Sequence, residues 1–325
     1  MRHVFILNPV AGRVHAALDL RDKIHAYFAE HQDEEYTIRL TEHHGDATRI
    51  AQEECGKGDA VRLYACGGDG TLQETANGIP ADDRLTELTV VPCGSGNDYV
   101  RIFGGQDWFL DLPDLIEGEA VSVDAVDCGD VRSLNIASIG MDAKVCAKMT
   151  RYKNLPGVGG SLAYDLAVAD TFCHQIGDEM HIAIESEDGP IERDGKYLLA
   201  LAANGQYYGG GYHGAPQAME NDGVLDFVLV KKISRLKIAG FLNKYKKGDY
   251  ADLECCEHLR GTSMVVETAK PTFCNVDGEC TCSKRMSFSI IPAAFRFVIP
   301  KAVAAARRAS QMIIGGADAV TAVAL

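Results

Sequence analysis

The run "AVRLYACGGDGTLQE" over residues 60–74 carries an apolar strand straight into three glycines around Asp69, and from there into a helical pattern. Glycines at such a turn allow positive φ and close backbone approach. A strand that feeds directly into a helix is half of a βαβ unit, which commits its neighbours to a parallel sheet. The rest of the first third agrees. "HVFILN", "EYTIRLT" and "LTVVPCG" read as strands, and "AALDLRDKIHAYFAEH" places Leu18, Ile24, Tyr27 and Phe28 at helical spacing. "DATRIAQEEC" opens a helix with Asp46 as its expected N-cap.

After about residue 120 the texture changes to strands joined by Gly, Asp and Pro turns, among them "SLNIASIG", "KYLLALAANG", "GVLDFVLVKK" and "FRFVIP". Helical patterns remain in "GGSLAYDLAVADTFCHQ" and "ISRLKIAGFLNKYKK". At 325 residues the chain is long for one core. The fold expected is an α/β N-terminal domain with a mostly parallel sheet over 1–125, then a β-rich, sandwich-like C-terminal domain over 126–300. The Ala-rich tail, 301–325, is expected to be loose or packed on the first domain.

A formal net charge of −14 speaks against a general nucleic-acid binder. No apolar run reaches the ~18 residues of a membrane span, and the N-terminus, cut off by Asn8-Pro9, reads as a first strand rather than a signal peptide. Eleven scattered cysteines fit a reducing cytosol. Cys255, Cys256, Cys274, Cys280 and Cys282 raise the question of zinc, but they lack paired ligand spacing and read as small hydrophobes.

Glycine loops fall at three strand ends: "LNPVAGR", with Arg13 placed to meet charge, "GGDGT", and "VPCGSGND". Ligands of open α/β sheets bind at the carboxyl ends of strands. A helix N-terminus such as the one after Thr71 favours an anion, and Ser95 offers a hydroxyl. Asp69 would repel a phosphate unless a divalent cation lies between them, so the motif points to a nucleotide with Mg²⁺. The alternative for each loop alone is a structural turn or, at Asn97-Asp98, a capped helix start.

In this order and spacing, "NPVAG", "GGDGTLQETANGI", "VPCGSGNDYVR" and "NVDGE" resemble the diacylglycerol-kinase-type lipid kinases, the bacterial branch in particular. The resemblance runs from about residue 2 to 300, with "GSGND" and the late "DGE" as its specific part. It implies two domains of NAD kinase/diacylglycerol kinase type with ATP in the cleft between them. It places Asn8, Pro9, Val10, Ala11, Gly12, Thr41, Gly67, Gly68, Asp69, Gly70, Thr71, Leu72, Gln73 and Ser95 at the nucleotide. It gives Asp69, with Asp98 and Asp127, the task of organising Mg²⁺ and its waters, and makes Glu279 the base with Asp277 beside it. In "MENDGVL" it implies a structural cation held by Asp222 and the carbonyls of Met219 and Val224, where the residues alone read as an Asx-Gly turn. The sequence departs from the pattern at Ala11, Gln73 and Cys93, which bears on nucleotide affinity.

The activity expected is therefore ATP-dependent phosphorylation of a lipid hydroxyl, diacylglycerol giving phosphatidic acid, by a cytoplasmic protein peripherally associated with the inner face of the membrane. The basic stretch 231–247 is a candidate membrane face, with a solvated helix surface as the alternative. A homodimer is compatible with the sequence. The rival readings are an NAD kinase-like enzyme, which shares "GGDGT", and a catalytically silent nucleotide or lipid sensor.

Overall fold

The computed structural model describes residues 1–12, 16–153, 155, 160–173 and 176–310. The chain divides into two units, one formed by Met1–Ser122 with the chain from Phe295 onward, the other by Val123–Ala294.

The first unit begins β1 (Arg2–Leu7), α1 (Ala16–Glu30), β2 (Glu35–Leu40), α2 (Asp46–Cys55), β3 (Val61–Gly67), α3 (Asp69–Gly78) and β4 (Glu87–Pro92). The strands lie in the order β2-β1-β3-β4, each pair parallel. β1, β3 and β4 are buried along their whole length, as strands covered on both faces must be, whereas β2 alternates as an edge strand. Phe5 stacks on Tyr64 at 4.2 Å between ring centroids, and Ile24, Phe28, Ile50 and Ala51 are buried with them. The register pairs Leu7 with Leu40 and Cys66, and Gly67 with Pro92, so four strands end along one edge.

The start of α2 differs from expectation. Asp46 is its first residue, and its carboxylate folds back onto the N–H groups of Glu42 and His43. The open N–H groups of Gly45 and Ala47 are met instead by Glu74 Oε2 from α3, at 3.0 and 3.3 Å. A cap supplied 29 positions away has no local signature.

After β4 come a 3-10 turn at Tyr99–Phe103, α4 (Gln106–Phe109) and α5 (Leu112–Ile116). The division at residue 300 also shifts. The chain returns to the first unit at Phe295, and Arg296 and Phe297 pair in parallel with β4. Aromatic packing accounts for this return, since Phe297 lies 5.4 Å from Phe103 and 5.2 Å from Tyr99 between ring centroids. Residues 301–310 are helical, and within the first unit Lys301 pairs with Glu117 and Arg307 lies over Phe103. Arg13 and the end of the tail lie outside the described residues.

The second unit follows β5 (Glu119–Asp127) with β6 (Arg132–Ser133), β7 (Ile136–Gly140), α6 (Met141–Lys153), α7 (Gly160–Cys173), β8 (Asp178–Ser186), β9 (Gly189–Ala203), β10 (Tyr207–Tyr208), β11 (Tyr212–His213), β12 (Leu225–Lys231), α8 (Arg235–Lys246), β13 (Cys256–Val276) and β14 (Glu279–Ile299). It is antiparallel and sandwich-like. One end of β9 pairs with β8, the other with β7 and β12, and β13 likewise reaches β12, β8 and β7 in turn. Alternation then builds two cores. Ala200, Ala202, Phe227 and Leu229 face the sandwich interior with Met264 and Phe288. Leu199, Leu201, Val228 and Val230 face the other way and are covered by Ile238, Phe241 and Tyr245 of α8.

Candidate functional site

Each of the glycine loops is held by side chains at its rim. Asn8, just past β1, donates from Nδ2 to Thr71 Oγ1 at 3.2 Å and accepts the Val10 N–H at 3.1 Å. Pro9 and Val10 stand exposed, Val10 at 88%. Ala11 closes a turn onto the Asn8 carbonyl, and Gly12 has φ +78° with its α-carbon so near Cys93 that a Cβ would collide with the Cys93 carbonyl oxygen. Thr41 is buried beyond β2 and hydrogen-bonds Leu7.

The second and third loops touch. A Cβ on Gly94 would sit 2.5 Å from the Gly68 α-carbon, so that position must be glycine for the loops to close, whereas a Cβ on Gly68 would meet Gly94 at a tight 3.3 Å. Cys93 donates its N–H to the Gly67 carbonyl at 2.8 Å. Asn97, in the left-handed region at φ +49°, clamps the third loop by accepting from Gly94 N and donating to Gly94 O. Ser95 and Gly70 are exposed on the loops, whereas Leu72 and Gln73 turn inward and are buried.

Asp69 is the centre of this arrangement. Its Oδ1 accepts the N–H of Asp98 at 2.8 Å and of Tyr99 at 3.2 Å, so the aspartate of one loop caps the helical turn that follows another. Asp98 itself makes no side-chain cap, so the alternative of a helix start capped by Asp98 does not hold. The second oxygens of Asp69 and Asp98 both lie against Gly96, where a Cβ would meet them at 3.0 and 3.5 Å. Burial pushes the Asp69 carboxyl above its ordinary range and the charge of Asp98 pushes it further, against the two N–H groups. Arg101, which the motif reading passed over, donates from Nε to Asp98 at 3.1 Å; its three-residue spacing from Asp98 is the sequence signal that could have found it.

In the second unit the "NVDGE" segment is a two-residue hairpin between β13 and β14, with Val276 paired to Glu279. Asp277 and Gly278 have φ +47° and +104°, the double positive that an Asp-Gly hairpin turn requires. Glu279 is exposed. The Asp277 carboxylate is committed to backbone, accepting from Leu134 N at 3.1 Å and Ile136 N at 3.0 Å. Asp127 closes its own turn by accepting from Gly129 N.

Around "MENDGVL", Asp222 accepts from Val224 N at 3.3 Å and pairs with Arg260, while Met219 is half exposed. Gly223 donates to Asp124 Oδ2, whose other oxygen accepts from Ala293 N. Asp124 was invisible to sequence reasoning because its partners lie 99 and 169 positions away. Among the described residues no three His, Cys, Asp or Glu side chains converge as a metal site.

Comparison with known proteins gives these loops a family. Residues 2–128 match the model of the diacylglycerol kinase catalytic domain, and 135–299 that of the YegS C-terminal NAD kinase beta sandwich-like domain. The chain belongs to the YegS and diacylglycerol kinase family of lipid kinases. It is 30% identical over 267 residues to a protein of Pseudomonas aeruginosa named "Probable lipid kinase YegS-like", covering 82% of this chain and 85% of that one. A namesake from Shewanella frigidimarina is 26% identical over 305 residues, covering 92% and 94%. A crystal structure of a diacylglycerol kinase from Bacillus anthracis shares the fold at a TM-score of 0.67 and 22% identity, covering 93% of this chain and 98% of that one. No helix among the described residues is long and apolar enough to cross a membrane.

Proposed function

We propose that this family member transfers the γ-phosphoryl group of ATP to the hydroxyl of diacylglycerol, giving phosphatidic acid, at the cytoplasmic face of a membrane. The observation that carries the reading is the meeting of Asp69 and Asp98 at Gly96, within touching glycine loops.

The residues fit Mg²⁺. Two carboxylates side by side, Asp98 buried and Asp69 partly so, repel each other, and Mg²⁺ is commonly held by one or two carboxylates while phosphates and waters complete its shell. Bound there, the ion would neutralise charge on the phosphate oxygens. Asp69 and Asp98 would hold it in this reading. The loops at Asn8 to Gly12, Gly67 to Gly70 and Gly94 to Ser95 would line the phosphates, with no side chain at the glycines to block approach, while the N–H groups of Val10, Ala11 and Gly94 stay bonded within the loops.

Glu279 is the base in this reading. A lipid hydroxyl is a weak nucleophile; Glu279 takes its proton as the oxygen bonds to the γ-phosphorus and the bond to the ADP oxygen breaks. General-base help of this kind is worth roughly 10²–10⁴-fold. Asp277 is then a positioning residue: its two backbone hydrogen bonds fix the hairpin that presents Glu279. The second-unit loop at Asp222 remains the candidate for a structural cation, for which the carboxylate would have to share or leave Arg260.

Incubation with γ-labelled ATP, Mg²⁺ and a panel of lipids in mixed micelles, with NAD in a parallel reaction, tests the assignment. Label in phosphatidic acid, lost in Glu279→Gln, is expected. Label in another lipid corrects the acceptor, and label in NAD with none in lipid overturns the reading.

A further inference from the structure

The segment around α8 carries seven of the chain's 32 lysines and arginines within residues 231–247 and no acid, in a protein of net charge −14. Ile238, Phe241 and Tyr245 point into the core, which fixes the outward line of the helix as Leu236, Gly240, Asn243 and Lys247. Lys237 and Lys244 flank that line on one side, Arg235 and Lys246 on the other, and Lys231 and Lys232 are exposed just before it.

Fold stability explains only part of this. Lys244, Lys246 and Lys247 suit the negative end of the helix dipole, and Lys246 also lies 5.5 Å from the centroid of the Tyr212 ring. Arg235 and Lys237, however, stand in the first turn, where positive charge is unfavourable. Leu236 between them is 95% exposed, a bare leucine that nothing in the fold requires. Lys57, Lys144, Lys148, Lys196 and Lys301 each pair with a carboxylate; among the described residues Lys231, Lys232, Lys237, Lys244 and Lys247 do not.

We propose that the outer face of α8 is a docking surface for an anionic bilayer, with Leu236 entering the interface and the flanking lysines over the headgroups. Charge complementarity selects the occupant: a cationic stripe around one exposed leucine matches an acidic lipid surface, while the acidic remainder of the chain is repelled from it. The inference rests on the lipid kinase reading only for its purpose; the binding itself is measured without ATP.

The test is flotation of the full-length chain with vesicles of phosphatidylcholine, alone or mixed with phosphatidylglycerol. Binding is expected only to the mixed vesicles and should weaken with salt. Each lysine near such a surface contributes roughly fivefold in partitioning (about 1 kcal/mol), so Lys237→Gln with Lys244→Gln should weaken binding a few tens of fold. The control pair Lys270→Gln with Lys284→Gln, exposed on other elements, removes the same charge and should bind nearly as wild type. Turnover of the α8 variant on detergent-dispersed diacylglycerol should be unchanged. Wild-type vesicle binding by the α8 variant, equal loss in the control pair, or equal binding to neutral vesicles would each overturn the proposal. Failure of the kinase assay with salt-sensitive vesicle binding intact would instead fault the catalytic reading alone.

Discussion

The carboxylate of Asp69 accepts the backbone N–H of Asp98 at 2.8 Å, joining the end of one glycine loop to the end of the next. The residue therefore has two separable parts. One oxygen caps a helical turn, a task any acceptor of the same shape performs; the other faces Asp98 across Gly96, where charge is the point.

Contact between the loops makes a sharp steric prediction. Gly94→Ala would drive a methyl into the Gly68 backbone, which cannot swing aside as a side-chain tip can. Overpacking of this kind costs about 1–3 kcal/mol. Urea unfolding should show that loss and nucleotide binding should weaken with it; wild-type values for both would mean that the loops need not touch.

Glu279 and Asp277 should separate cleanly. Glu279→Gln is expected to unfold at the wild-type temperature and to lose roughly 10²-fold or more in turnover. Asp277→Ala strands two backbone N–H groups and puts alanine at φ +47°, so about 2–4 kcal/mol of stability should go. Asp277→Asn, which tolerates that φ but keeps one oxygen where two N–H groups each need their own, should recover only part of it. A fully active Glu279→Gln enzyme would remove the base assignment.

The physical source of each element decides how much of it the sequence could reveal. The parallel sheet was legible because β1, β3 and β4 are continuous apolar runs, and the hairpin at Asp277-Gly278 because its turn chemistry is local. Asp46 misled because N-cap statistics assume a local partner, and Glu74 does that work from another helix. Nor could local pattern show the return at Phe295, which depends on Phe297 meeting Phe103 and Tyr99. At the site, glycine spacing marked the loops, but that Asp69 and Asp98 meet at Gly96 is a tertiary fact.

The raised Asp69 carboxyl has a consequence for stability. A folded-state pKa above the unfolded one means that ionised Asp69 opposes folding at neutral pH, and that the penalty fades as pH falls through the folded value. Metal-free Asp69→Asn should therefore be more stable than wild type at pH 7, with the gap closing as the pH is lowered. Urea midpoints across that range check the sign; a gap that widens on acidification would contradict it.

Turnover of Asp69→Asn across a Mg²⁺ titration, beside its metal-free melting temperature, decides whether Asp69 works through its charge. Asparagine keeps the oxygen that caps Asp98 and Tyr99 and removes only the charge. A melting temperature at or above wild type, retained ATP binding, and a fall in kcat of at least about 10²-fold with a raised Mg²⁺ requirement are expected. Normal turnover at limiting Mg²⁺ would show that Asp69 is a helix cap and nothing more.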